Sequence, residues 1–300
     1  MNSTAAVHLV DASIYVFRAY FSIAPEFVDV DGRPVHAVFG FLNMLLSLLH
    51  EEQPSHVAVC FDESLTTSFR NRLYPPYKAN RELPPPDLAL QFDYCQRLSA
   101  ALGLRVLVDG EYEADDLAGS ALHALRAQGL RGVLVTGDKD FSQLLGEHDV
   151  VFDLTRREKT DAAAVKRKYG VRPGQFADYL ALTGDAVDNI PGIHGIGPKT
   201  AATLIAHFGS LDALLERVAE VPFLRLRGAT QIAEKLRKGR DDALLFRLLS
   251  RIALDAPVPL AAADYACARP DGNALDPLLD QLRFGPLTRR RCREWRQRFD

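Results

Sequence analysis

Five short apolar runs, separated by longer stretches of helical periodicity, constrain this chain more than any other feature. His8-Leu9-Val10, Val57 to Phe61, Leu104 to Val108, Val133-Leu134-Val135 and Val150-Val151-Phe152 have the length and β-branched content of buried strands. Residues 37–50, 87–102 and 114–128 carry apolar residues at helical spacing, and Gly103, Gly110, Gly129 and Gly137 mark the boundaries. Such alternation predicts an α/β fold, a mostly parallel sheet with helices on both faces. From about residue 174 the strand signal fades. The expected organisation is therefore an α/β domain over 1–173 and a helical lobe over 174–300, with 255–275 a loop-rich link to a last helical segment.

The acids fall where this fold makes them converge. Asp11 ends the first run, Asp62 ends the second, and Asp138 follows the fourth. Right-handed crossovers put those strand ends on one edge of a parallel sheet. Glu113, Asp115 and Asp116 open a helix in EYEADDLAG, and Asp140 follows Asp138 by two. Asp185 and Asp188 stand three apart in TGDAVDNIPG, so they share a face if that stretch is one helical turn. A single Asp between strand and helix is commonly an N-cap. Capping needs one acid per helix, however, and does not account for E-x-D-D, D-x-D and D-x-x-D together. So many carboxylates at one edge would raise one another's pKa values unless cations intervened. Oxygen-only ligands select Mg²⁺ or Mn²⁺ over zinc. Two such ions, roughly 3.5–4 Å apart, are the usual arrangement for phosphodiester hydrolysis, one activating water and the other stabilising the leaving oxygen.

Composition narrows the partners. The formal net charge is −3, yet basic residues concentrate at 156–172, 235–240 and 283–298. Acids gathered at one point with cations around them suit metal-assisted chemistry on a polyanion, although each basic run alone reads as a solvated helix face. No apolar run is long enough to span a bilayer, and the N-terminus lacks a basic, signal-like start, so a cytoplasmic protein is expected. Cys60, Cys95, Cys267 and Cys292 form no CxxC pair, which disfavours zinc. The stretch 64–90 is polar, basic, aromatic and proline-rich, and loops of that length in compact domains are usually functional. PGIHGIGPKTA is not a P-loop, because Pro198 breaks the required G-K-[ST] adjacency; it suits a helix–turn–helix hairpin. There, Gly195 and Gly197 would let the turn approach a phosphate, with Lys199 and Thr200 adding side-chain contacts.

Taken together, VDASIYVFRA, FDESLTTSFRNRLYPPYKANR, EYEADD, VTGDKDFSQL and LTGDAVDNIPGIHGIGPKTAATL resemble the 5′–3′ exonucleases and flap endonucleases related to the 5′ nuclease domain of bacterial DNA polymerase I. The resemblance covers nearly the whole chain, with the motifs in the family's order. It implies a PIN-like sheet domain followed by a helical lobe with a helix–three-turn–helix element about 185–210, whose turn carbonyls often hold K⁺. It implies that Asp11, Asp62, Glu113 and Asp115 bind or orient a first metal, and that Asp116, Asp138, Asp140, Asp185 and Asp188 serve a second. With no polymerase or proofreading segment after Asp300, a stand-alone, monomeric enzyme acting on DNA with 5′ ends or flaps is expected.

The same resemblance makes 64–90 a flexible arch over the site. Lys78 would neutralise the scissile phosphate with support from Arg81, and Arg18 and Arg70 would steer phosphates near the metals. Tyr20, Phe21 and Tyr77 offer stacking surfaces for an unpaired base, Phe21 being equally readable as core. Two rival readings stay open. One is a structure-specific DNA-binding protein with weak catalysis; the other is a PIN-like ribonuclease.

Overall fold

In the computed structural model, which describes residues 5–63, 67–82 and 84–300, the five apolar runs form strands β1 (Ala6–Asp11), β2 (His56–Asp62), β3 (Arg105–Asp109), β4 (Arg131–Val135) and β5 (Val150–Asp153). A further strand, β6 (Glu158–Thr160), lies antiparallel on β5; its three residues carry no apolar alternation to predict it by. The sheet order is β3-β2-β1-β4-β5-β6, and every pairing except β5–β6 is parallel. Chain order runs outward from β1 to β3 on one side and from β4 to β6 on the other. The topological switch point therefore lies between β1 and β4, where crevices for ligands form at the strands' carboxyl ends.

Helices cover both faces. α1 (Ala12–Ser22), α2 (His36–Glu52), the short α3 (Phe69–Leu73) and α4 (Pro86–Ala101) precede β3, and α5 (Ala114–Arg126) follows it. Val10, Val59 and Val135 point to the α1–α2–α4 side with Phe41, Leu45 and Leu98. Leu9, Ala58 and Leu134 point to the opposite side, against Leu117, Ala118 and Ala121 of α5. Successive strand residues alternate between these two cores, so both faces are buried and the runs are almost wholly apolar.

Beyond β6, α6 (Ala162–Tyr169), α7 (Phe176–Thr183), α8 (Pro198–Phe208), α9 (Leu211–Glu216), α10 (Ala229–Lys238) and α11 (Arg240–Ser250) extend the core on the α5 side. The expected helical lobe 174–300 divides here. α12 (Gly272–Gln281) and α13 (Pro286–Gln297) return to the first domain and bury Leu275, Leu279 and Trp295 in the α2–α4 core. Trp295 Nε1 donates to the Leu102 carbonyl at 2.9 Å, and Cys267 N donates to Ser55 O at 2.8 Å. The arginine-rich C-terminus thus packs: Arg298 donates to the Pro54 carbonyl, and Arg289 pairs with Asp280.

Candidate active site

The carboxyl ends of β1 and β2, the turn after β4, the start of α5 and the loop after α7 meet at one cavity of about 620 Å³. Asp11, Asp62, Glu113, Asp115, Asp138, Asp140 and Asp188 line it, together with Lys78, Arg81 and the apolar Ile14, Phe17, Phe21, Pro84 and Val187. Backbone amides of short turns fix several of these acids. Asp11 caps α1 by accepting from Ile14 N, and its other oxygen accepts 2.8 Å from Thr136 Oγ1. Asp62 accepts 2.7 Å from Ala114 N at the start of α5. Asp138 accepts 2.9 Å from Asp140 N and caps the 3₁₀ turn Lys139–Leu144. Capping and facing the cavity are therefore compatible, since a cap occupies one carboxylate oxygen and leaves lone pairs on the other.

Asp185 and Asp188 reach the site on a closed loop and not on the expected helical turn. Residues 185–190 form a closed loop, with Asp185 N donating to Ile190 O at 2.7 Å and Ile190 N donating back at 2.8 Å. Gly184 and Gly192, both at positive φ, let the two ends of the loop meet backbone to backbone; a Cβ on Gly184 would stand 2.5 Å from Ile190 O. Ligand oxygens of Asp140, Asp185 and Asp188 come within 4.8 Å of one another.

The electrostatics match a crowd of buried anions. Burial and the charges of Asp62 and Asp138 push Asp11 up to about 7. Burial and Asp138 push Asp140 up to about 7. Burial also raises Asp62, Asp115 and Asp188 above the usual carboxylate range, with Asp116 adding to the effect at Asp115. Glu113 is the exception. Burial alone would raise it, but Lys78 at 2.5 Å and Arg70 outweigh that and hold it at about 2. The buried Oδ1 of Asp140 accepts no hydrogen bond, although Lys139 Nζ lies 3.1 Å away. Oxygen donors whose mutual repulsion disfavours ionisation, one of them without a hydrogen bond, fit hard divalent cations.

Two family models match the chain in succession: 5′-3′ exonuclease, N-terminal resolvase-like domain, over residues 6–170, and 5′-3′ exonuclease, C-terminal SAM fold, over residues 171–273. The chain belongs to the 5′-3′ exonuclease family. Among its relatives in that family, DNA polymerase I of Rhizobium leguminosarum is 38% identical over 289 residues, spanning 94% of this chain and 28% of that protein. DNA polymerase I of Pseudomonas aeruginosa is 38% identical over 283 residues, spanning 94% and 31%. The chain thus covers about a third of the length of these relatives. Solved structures sharing the fold include T5 5′-exonuclease with bound divalent zinc, with a TM-score of 0.67 at 17% identity over 99% of this chain and 100% of that one. The catalytic core of Rad2 in complex with DNA substrate gives 0.64 at 16% identity over 96% and 91%.

Within this 5′-3′ exonuclease fold, three expected roles change. Asp116 is 0% exposed and does not line the cavity; both its oxygens accept from Arg70 at 2.7 Å, and one also accepts from Ala253 N. With its lone pairs engaged, Asp116 is a structural partner rather than a ligand for a second ion. Arg70 is 1% exposed, donates also to the carbonyls of Leu249 and Arg251, and keeps Nη1 3.8 Å from Glu113 Oε2, so the guanidinium is buried away from an incoming phosphate. Tyr77 is 3% exposed, and its hydroxyl donates towards Glu113 and Asp188, which leaves no open face for stacking a base. Phe21, by contrast, stands on the cavity wall at 74% exposure.

The segment expected as an arch, 64–90, includes 64–66 and 83, which lie outside the described residues. Its described part contains α3 and the start of α4, and is latched to the 185–190 loop: Lys78 N donates to Asp188 O, Asn80 to Ala186 O and Asn189 to Pro76 O. Lys78 takes a left-handed φ of 55°, which turns its side chain into the acids. Arg81 pairs with Asp188 at 2.6 Å, and Arg18 is exposed beside Gly137 and bonded to Thr155. The hairpin pairs α7 with α8, so its first helix precedes the expected start at 185. Gly195 has a positive φ, Gly197 caps α8, Lys199 is exposed and Thr200 half-buried in its first turn.

Two neighbours of the acids went unassigned by sequence reasoning. Thr136 is buried and orients Asp11, and Lys139 bridges Asp140 and Asp185. Both lie inside VTGDKDFSQL, where position alone gives no sign of which way a side chain turns.

Proposed function

We propose that this chain hydrolyses DNA phosphodiester bonds as a 5′–3′ exonuclease and 5′-flap endonuclease, using two Mg²⁺ ions for which Mn²⁺ can substitute. One observation carries the reading: carboxylates from sheet, helix and loop elements, from Asp11 to Asp188, line a single cavity that also receives Lys78 and Arg81. The donors for one ion would come from Asp11, Asp62, Glu113 and Asp115, and those for the other from Asp138, Asp140, Asp185 and Asp188. When bound, such ions supply Lewis-acid activation of water and neutralise charge on the leaving oxygen.

The chain's own residues do the rest. Lys78 holds an ammonium at the cavity, where it neutralises a bridging phosphate and turns from Glu113 to do so. Arg81, now on Asp188, and exposed Arg18 add charge at the mouth. Phe21 and Val187 give an unpaired 5′ base an apolar wall. The amides of Gly195, Gly197, Lys199 and Thr200 at the start of α8, with the Lys199 and Thr200 side chains, would seat a duplex phosphate without reading bases. A K⁺ ion on the turn carbonyls would reinforce that contact. In this reading the enzyme acts as a monomer, and its setting would be cytoplasmic DNA.

The test is a labelled 5′-flap duplex incubated with the protein and Mg²⁺. Cleavage at the junction, abolished by chelator, is expected. Tight flap binding without product would leave a DNA-binding protein, and cleavage of RNA alone would leave a ribonuclease.

A further inference from the structure

Lys139 sits between the two aspartates of the D-x-D turn, and its ammonium folds back onto neighbouring acids. It pairs with Asp185 Oδ2 and reaches Asp140 Oδ1 at 3.1 Å. Asp140, Asp185 and Asp188 are the three acids whose oxygens come within 4.8 Å of one another, so a lysine ammonium stands at the tightest carboxylate cluster among the described residues. Lys78 has the matching position on Glu113, but its side chain is only 12% exposed. Lys139 has no such side-chain confinement: it remains 39% exposed.

We propose that the Lys139 ammonium is a resident counter-cation that holds Asp140 and Asp185 together and must rotate into solvent for a divalent ion to enter, thereby setting that ion's affinity. The inference rests on the metal-dependent reading above and deepens it. An ammonium carries one positive charge, and from one place it donates to Asp185 and lies within ion-pair distance of Asp140. A divalent ion brings twice the charge and contacts Asp188 as well, but both cannot share one place because like charges a few ångströms apart repel strongly in a partly buried cavity. The ion entering at Asp140, Asp185 and Asp188 therefore displaces the lysine, whereas the ion at Asp11 and Asp115 does not meet it. Two affinities follow from one donor chemistry.

The experiment is Mn²⁺ titration of the protein without DNA, read by the paramagnetic signal of free Mn²⁺, for wild type, Lys139→Met and Lys139→Arg. Lys139→Met keeps the length of the side chain and removes its charge. The weaker Mn²⁺ site is expected to tighten by roughly tenfold in Lys139→Met, because a charge repulsion is removed, and to stay near wild type in Lys139→Arg. The tighter site should not change. A weaker site that is unchanged or loosened in Lys139→Met overturns the proposal, since a merely structural lysine would lose affinity on removal. Circular dichroism melting verifies folding, and Lys139→Gln replaces Lys139→Met if the latter does not fold. Flap cleavage by the wild type is measured alongside. Wild type that neither binds Mn²⁺ nor cuts sinks the metal-dependent reading and the lysine's role together; wild type that does both, with an unresponsive Lys139→Met, sinks only the lysine's role.

Discussion

The Arg70 guanidinium and the Asp116 carboxylate face each other in a buried two-pronged pair, both prongs at 2.7 Å. Their remaining groups tie three parts of the chain together. Arg70, in α3, donates to the carbonyls of Leu249 and Arg251; Asp116, in α5, accepts from Glu113 N and Ala253 N. The pair therefore anchors the α5 N-terminus, which carries Glu113 and Asp115, to the segment that follows α11. Replacing Asp116 by Ala should cost ~3–5 kcal/mol, because it strands a buried guanidinium. Urea denaturation checks this, and a loss below about 1 kcal/mol, the level of an exposed pair, would contradict the anchoring role.

Asp115 is one residue away and should behave in the opposite manner. Asp115→Asn removes a charge from the cavity without breaking an ion pair. Turnover is expected to disappear, while binding of a flap duplex in Ca²⁺, followed by fluorescence anisotropy, should stay near wild type. Near-normal cleavage by Asp115→Asn would remove it from the set of metal-binding acids.

Lys78→Met should lower kcat by ~100-fold with little change in KM, as for loss of a preorganised charge at developing negative charge. Single-turnover cleavage over a range of enzyme concentrations, all in excess of the flap substrate, separates the two. An unaltered rate with weakened affinity would make Lys78 a docking cation instead.

Asp11 and Asp140 stand near 7 in the folded chain against an ordinary 3.8. Between those values the folded state keeps protons that the unfolded chain has released. Stability of the metal-free protein should therefore fall as pH rises from about 4 to about 7, then level off. Glu113, held at about 2, contributes the opposite sign below this window, and His8, lowered by burial to about 4, opposes the fall within it without matching the two aspartates together. Divalent cations replace the protons, so Mg²⁺ should raise the melting temperature far more at pH 8 than at pH 5. An equal Mg²⁺ effect at both values would show that the acids are not what the ion binds.

Gly192→Ala forces a Cβ into the backbone of Gly184 at a φ of +67°. A loss of more than ~1 kcal/mol is expected, since alanine at a left-handed position is strained. Because this junction closes the loop carrying Asp185 and Asp188, Mn²⁺ affinity should fall as well. Retained metal affinity would mean that those acids are placed by other contacts.

The strands and the convergence of the acids were legible in the sequence because their causes are local. β-branched apolar runs specify buried parallel strands, and a parallel sheet necessarily brings Asp11, Asp62 and Asp138 to one edge. What the tertiary structure alone decided is which carboxylates remain available. Asp115 and Asp116 are adjacent in the chain, and helical geometry turns them to different sides, but nothing nearby in sequence says that Arg70, 46 residues earlier, waits on one side and the cavity lies on the other. The same holds for α12 and α13, whose amphipathic pattern demands a partner without naming α2 and α4, and for Tyr77 and Lys139, whose surroundings come from remote loops. Local periodicity fixes which elements form; the electrostatics of a buried group depend on whatever charge the rest of the chain delivers within a few ångströms of it.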